Sequence, residues 1–232
     1  LDRLQELITG ETKLIAFTNP NNPTGALIEQ PILERIVEIA NAADAYLLCD
    51  EVYRGTAQLG DGMVPSIADM YRKGISTAGM SKVFSLAGLR LGWVAASEEV
   101  TEKIMIHRDY DTISVGMLND YFANIALENA DSILSRSRQI TRENLAILEE
   151  WINNEPRVSW VKPRAGTTAM LKLDVPMTCR EFCIDLIEKT GVMLTPGDAF
   201  EMEGYARIGF ANDRETLEAG LNELSSYLGD IR

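Results

Sequence analysis

The sequence predicts an α/β protein in which a mostly parallel sheet, with helices on both faces, is followed by a smaller α+β domain. Three observations predict this. Short apolar runs at 13–18, 45–49 and 74–78 alternate with helical patterns through the first half of the chain. A long, almost entirely helical pattern then covers 101–153. From 157 to 232 the character changes again, and four short strand patterns are interleaved with two helical ones.

Residues 1–8 read as a helix ended by Gly10, and 13–18 as a buried strand that runs into a loop of Asn and Pro. Apolar residues at 32, 33, 36, 37, 39 and 40 make a helical stripe over 30–43, with Pro31 in the first turn, where its missing N–H costs nothing. The strand at 45–49 stops at the acidic pair Asp50 and Glu51. A loop over 55–65 and a short helix at 66–72 lead to the strand at 74–78, and a turn then leads to a strand over 89–95 that Arg90 helps to open. The long helical region stops at Asn153, Asn154, Glu155 and Pro156, because the residue before proline is pushed out of the helical basin. Beyond it the patterns predict strands at 158–161, 168–173, 192–194 and 205–210, and helices at 179–189 and 213–228. The expected domains are therefore 1–145 and 146–232.

Composition removes several function classes. A chain of 232 residues buries about 70% of its unfolded surface on folding, so neither disulfides nor a metal is needed for a core. With 46% hydrophobic and 25% charged residues it is neither disordered nor fibrous. Asp and Glu number 35 against 22 Lys and Arg, and the resulting charge of −13 repels nucleic acid and anionic lipid. No charged leader with an apolar run follows Leu1, and no stretch approaches a membrane span. Cys49, Cys179 and Cys183 form no CxxC pair and His107 is the sole histidine, so no zinc cluster and no Ser/His or Cys/His catalytic scheme is expected. The expectation is a protein without a metal, with reduced thiols, in the cytoplasm.

Three signals fall at the C-terminal ends of the strand patterns, where open parallel sheets bind ligands. The first is Thr18-Asn-Pro-Asn-Asn-Pro-Thr-Gly25, whose bland reading is a turn. The second is Asp50 with Tyr53, where a lone Asp more often ends a strand or caps a helix. The third is Gly79-Met-Ser-Lys-Val-Phe-Ser-Leu-Ala-Gly-Leu-Arg-Leu-Gly92. An isolated Lys is usually solvated surface, but Lys82 stands at a strand-end loop in apolar surroundings.

The run 79–92 resembles the pyridoxal-phosphate attachment site of the class I/II aminotransferases of fold type I. Asn22-Pro-Thr-Gly25 and Asp50-Glu-Val-Tyr53 are similar to two further hallmarks of that family, in its order and spacing. The resemblance extends through Arg207 to the C-terminus. It implies that Lys82 forms a Schiff base with pyridoxal 5'-phosphate and afterwards moves a proton. It implies that Asp50 pairs with the pyridine nitrogen, and that Tyr53 and Asn22 donate to the ring oxygen. Arg90 and the Ser81 hydroxyl would hold the phosphate, and Arg207 and Asn22 would bind the substrate, Arg207 through its α-carboxylate. The catalytic group is thus Lys82, Asp50 and Tyr53, and the cofactor set adds Asn22, Ser81 and Arg90.

Gly79 stands where many family members have Ser, which removes one phosphate donor and leaves more to Ser81 and Arg90. The family also carries a considerable region before the position of Leu1, including strands of the large sheet and a phosphate-capping loop, so the resemblance implies the C-terminal portion of such an enzyme. Its implied activity is amino transfer from an amino acid to a 2-oxo acid, in amino acid metabolism or biosynthesis, by a cytoplasmic homodimer. A lyase or decarboxylase using the same cofactor is the alternative within the family; Ala26 and Leu27 after the Asn-Pro-Thr-Gly string, in place of an aromatic, favour transfer. A non-catalytic fragment needing its N-terminal part is the alternative outside it. A Rossmann-type nucleotide module is disfavoured, since no GxGxxG follows a strand.

Overall fold

The structure is a computed structural model that describes residues 1–231. Its elements run in the order α1 (Asp2–Leu7), β1 (Leu14–Thr18), α2 (Gln30–Ala42), β2 (Tyr46–Asp50), α3 (Ile67–Met70), β3 (Gly74–Gly79) and β4 (Gly92–Ala95). Then come α4 (Glu98–Arg108), α5 (Met117–Glu128), α6 (Ala130–Asn154), β5 (Val158–Trp160), β6 (Thr168–Leu173), α7 (Cys179–Thr190), β7 (Thr195–Pro196), β8 (Tyr205–Gly209) and α8 (Arg214–Asp230). Single 3₁₀ turns occupy Ala87–Leu89 and Gly197–Phe200. The chain forms two compact units, one of Leu1–Pro20 and Leu27–Ser137, the other of Asn21–Ala26 and Arg138–Arg232.

The first unit is built on a sheet in the order β1-β2-β3-β4, with the first two pairings parallel and the last antiparallel. Its register aligns Thr18 with Asp50 and Asp50 with Thr77, so the strands end together and their loops emerge along one edge. One face is covered because α2 turns Leu33, Ile36 and Ala40 onto Leu47 and Cys49 of β2, with Ile67 of α3 closing the cluster. Pro31 lies in the first turn of α2, as the sequence predicts. A second cluster joins Met80, Val83 and Phe84 of the loop after β3 to Ala123 and Ala126 of α5.

The second unit has an antiparallel sheet in the order β5-β6-β8-β7, packed against α6, α7 and α8. Phe182, Leu186, Phe210, Leu148 and Leu224 are fully buried at its centre, each worth roughly 1.5–3 kcal/mol of removed apolar surface. Helix α7 starts in a capping box, in which Thr178 accepts from the Glu181 N–H and the Glu181 carboxylate accepts from the Thr178 N–H, and it ends at Gly191 in a left-handed conformation.

Two strand expectations are corrected. The strand expected at 89–95 begins only at Gly92, because 87–89 wind into a 3₁₀ turn and Arg90 takes the left-handed conformation at φ 48°. The strand expected at 192–194 is displaced to Thr195–Pro196, since β8 offers its ladder only there, pairing Thr195 with Arg207 and Pro196 with Ala206.

Candidate active site

In the first unit the candidate side chains come from the loops at the sheet's C-terminal edge. Asp50 is the last residue of β2 and is half-buried; its Oδ1 accepts from the Val52 N–H at 3.0 Å, which turns the chain sharply. The turn carries Tyr53 into the interior, where it is 4% exposed. Glu51, adjacent in sequence to Asp50, has a different task. It is buried and accepts from Ser66 Oγ at 3.1 Å and from the Ile67 N–H at 2.8 Å, so it caps α3. Burial first and the Glu51 charge second push the Cys49 thiol up to about 12, which leaves it an inert part of the core.

The loop after β3 holds Ser81 and Lys82. Met80, Val83 and Phe84 are buried on either side of them, so the loop is anchored by its apolar residues while the Lys82 amine stays exposed. Backbone bonds from Ser85 N to Lys82 O and from Leu86 N to Met80 O close the turn at 2.9 Å each, and the Ser137 hydroxyl donates to Val83 O at 2.7 Å. Lys82 Nζ lies 6.0 Å above the centre of the Tyr53 ring. Arg90 is exposed, its Nη1 donating to Ala87 O at 2.9 Å. The fit at Gly79 is tight, since a Cβ there would meet Leu91 O at 3.0 Å and Gly92 Cα at 3.2 Å.

Two more candidates meet in the second unit. Asn22 and Arg207 lie 185 positions apart, yet Arg207 Nη1 donates to Asn22 Oδ1 at 3.2 Å. The Asn21–Ala26 segment folds with this unit because Gly25 O accepts from the Arg164 and Ala165 N–H groups at 2.8 and 3.0 Å. Thr168 Oγ1 adds a bond to Pro23 O at 3.2 Å. With Oδ1 engaged by Arg207, Asn22 keeps its amide N–H groups for another acceptor. Arg207 also donates from Nη2 to Thr195 Oγ1 at 3.2 Å, and its guanidinium carbon lies 4.9 Å from the Phe200 ring centre. Thr195, Phe200 and Glu51 were not singled out by sequence reasoning; the Thr-Pro-Gly string at 195–197, a turn signal before an aromatic, was the available hint.

The donor set suits a phosphorylated pyridine aldehyde. It offers an amine for a carbonyl carbon, a carboxylate for a protonated ring nitrogen, a phenol for a ring oxygen, and a hydroxyl with a guanidinium for a phosphate. Among the described residues, no group of three or more His, Cys, Asp or Glu is placed to hold a metal ion, and no helix is long and apolar enough to cross a membrane. A cavity of about 1060 Å³ between β4, α4 and α5 is lined by Trp93, Val94, Ile104, Met105 and Tyr121 and by none of the candidate residues.

Fold and donor set together define a class: an α/β protein with a lysine at a strand-end loop over a phenol, and an arginine hydrogen-bonded to an asparagine in a separate α+β unit. The sequence model described as "Aminotransferase class I and II" matches residues 1–224, and the chain belongs to that family. Among curated relatives it is 30% identical over 236 residues to aromatic-amino-acid aminotransferase 2 of Thermococcus litoralis, covering 98% of this chain and 60% of the relative. It is 28% identical to capreomycidine synthase of Streptomyces vinaceus, covering 99% and 59%. A solved PLP-dependent aminotransferase from Streptococcus suis superposes with a TM-score of 0.95 at 45% identity, covering all of this chain and 61% of that one. The chain thus spans about three fifths of the length of the relatives it matches.

Proposed function

We propose that this chain carries the lysine, the ring-nitrogen acid and the substrate-carboxylate site of a pyridoxal-phosphate-dependent aminotransferase that exchanges an amino group between an amino acid and a 2-oxo acid. The observation that carries the reading is the Lys82 amine, exposed on an anchored turn 6.0 Å above the ring of buried Tyr53, three residues after Asp50 ends its strand. When bound, pyridoxal 5'-phosphate supplies an electron sink for negative charge at the substrate Cα and a carrier for the amino group.

The side chains divide the remaining work. Asp50 holds a proton on the ring nitrogen through a charge-assisted hydrogen bond. Tyr53 donates its phenol, and Asn22 its free amide N–H, to the ring oxygen. Ser81 and Arg90 would hold the phosphate, through a hydroxyl and a guanidinium. Lys82 would serve as the base that takes the proton from the substrate Cα. Arg207 takes the substrate α-carboxylate through its guanidinium. In domain terms, the division expected at 145/146 falls inside α6, and the compact units instead divide at Ser137 and Arg138 with Asn21–Ala26 in the second; the first would serve the cofactor and the second the substrate. Nothing in the site favours a lyase or decarboxylase reading.

The setting proposed is a cytoplasmic homodimer with small amino acid and 2-oxo acid substrates, not a nucleic-acid or membrane partner. Three free, buried cysteines and a charge of −13 support it, as do Met117, Leu118, Tyr121 and Phe122, exposed on α5 for a protein partner. The test is transfer of ¹⁵N from a labelled amino acid to an unlabelled 2-oxo acid by the holoenzyme. Transfer in the wild type and none in Lys82→Ala is expected; equal transfer in both removes Lys82 from the reaction.

A further inference from the structure

We infer that Phe200 and Thr195 are positioning residues that fix the plane of the Arg207 guanidinium, so that it meets a planar carboxylate already oriented. The inference rests on the proposed function and deepens it at the substrate end. Thr195 stands directly opposite Arg207 in the β7–β8 pairing and accepts from Nη2, while Asn22 accepts from Nη1, both at 3.2 Å. The central carbon of the guanidinium lies over the Phe200 ring, 4.9 Å from the ring centre, within cation–π reach. Two of five N–H donors are therefore used, one on each terminal nitrogen, and with the aromatic contact they restrain the rotation of the remaining coplanar donors.

The platform beneath Phe200 is itself stiff. The 3₁₀ turn at Gly197–Phe200 is closed by Met202 N to Gly197 O at 2.9 Å and by Glu201 N to Asp198 O at 3.2 Å. A Cβ on Gly197 would meet Met202 O at 2.2 Å and Tyr205 O at 2.4 Å, so only glycine lets the turn lie against the start of β8, two residues before Arg207. Arg180 Nε donates to Asp198 Oδ2 at 2.6 Å and ties the turn to α7. An arginine held in this way loses little side-chain freedom when a carboxylate docks, and a freely rotating one loses more.

The experiment uses the holoenzyme and 2-methylalanine, an α-amino acid whose Cα bears no hydrogen, with calorimetric Kd as a readout independent of turnover. Phe200→Leu should raise this Kd about three- to thirtyfold, and Phe200→Tyr, which keeps the ring face, should restore it. Thr195→Val should raise it about threefold or more. The KM for ethylamine, which lacks the carboxylate, and the Kd for pyridoxal 5'-phosphate should stay within twofold of the wild type in all three variants. Wild-type affinity for 2-methylalanine in both Phe200→Leu and Thr195→Val overturns the inference, as does a loss shared equally with ethylamine. Arg207→Lys separates the two levels. If it weakens 2-methylalanine while the other variants do not, only the positioning role fails; if it has no effect, the carboxylate assignment of Arg207 fails first.

Discussion

Substituting Gly25 by Ala should destabilise the second unit and loosen the Asn22 contact with Arg207. Gly25 has φ +67°, and a Cβ built there lies 2.3 Å from Pro163 Cβ, 2.8 Å from Ala165 O and 3.1 Å from Thr168 O. A non-glycine residue in the left-handed region costs about 1–2 kcal/mol. Displacing backbone in a packed site costs about 1–3 kcal/mol more, since two of the three obstructing atoms are carbonyl oxygens rather than flexible side-chain ends. The sum is about 2–5 kcal/mol, a fall in Tm of about 4–20 °C for a protein of this size. Gly220→Ala provides the internal control. Gly220 lies within α8 and its Cβ would meet nothing within 4 Å, so the change should stabilise by about 0.5–1 kcal/mol. The assay is urea denaturation of holoenzyme variants followed by tryptophan fluorescence. A loss under about 1 kcal/mol for Gly25→Ala would refute the claim that this loop is locked by close backbone approach.

Other expectations follow from the same contacts. Asp50→Asn should retain cofactor in an absorbance titration yet lose about 10²–10³ in kcat; a loss under about tenfold with full occupancy makes Asp50 only a strand terminus. Tyr227 donates to Asp185, and burial first and that contact second push its phenol up to about 12. A raised value stabilises fully below the ordinary Tyr value of about 10 and is lost as the pH climbs toward the folded value, so Tyr227→Phe should flatten the alkaline decline in urea midpoint above about pH 10. An unchanged decline removes Tyr227 from it. Cys49, buried and held protonated, should react with a thiol reagent at about pH 8 only after unfolding; prompt modification in the native protein contradicts its burial.

The elements with strong periodicity were legible in the sequence, and so were the strings that bear chemistry. Pro31, the apolar stripe of α2, and the alternation of apolar strands with helices depend on local patterning alone, and the structure places them within a residue or two of expectation. Features decided at a distance were hidden. Val192 to Leu194 is as apolar as a strand, but a strand needs a partner, and β8 supplies one only from Thr195. Arg90 lies in a stretch with strand-like residues, yet the 3₁₀ turn before it fixes a left-handed backbone there. Asp50 and Glu51 are chemically alike in sequence; the first ends β2 half-buried, while the second, one residue past the strand, turns inward to cap α3. The Asn21–Ala26 segment follows β1 directly in sequence but folds with residues beyond 138, through bonds that Gly25 makes possible. Phe200 gained meaning only once β8 was seen to bring Arg207 beneath it.

The central claim is that Lys82 is the residue that takes the cofactor. The most direct measurement is borohydride reduction of the protein mixed with pyridoxal 5'-phosphate, followed by peptide mass mapping. The account predicts one reduced phosphopyridoxyl group, on the peptide containing Lys82, and its loss in Lys82→Ala. A label fixed on Lys73, Lys103 or any other lysine, or none on Lys82 when the cofactor saturates the protein, would contradict it.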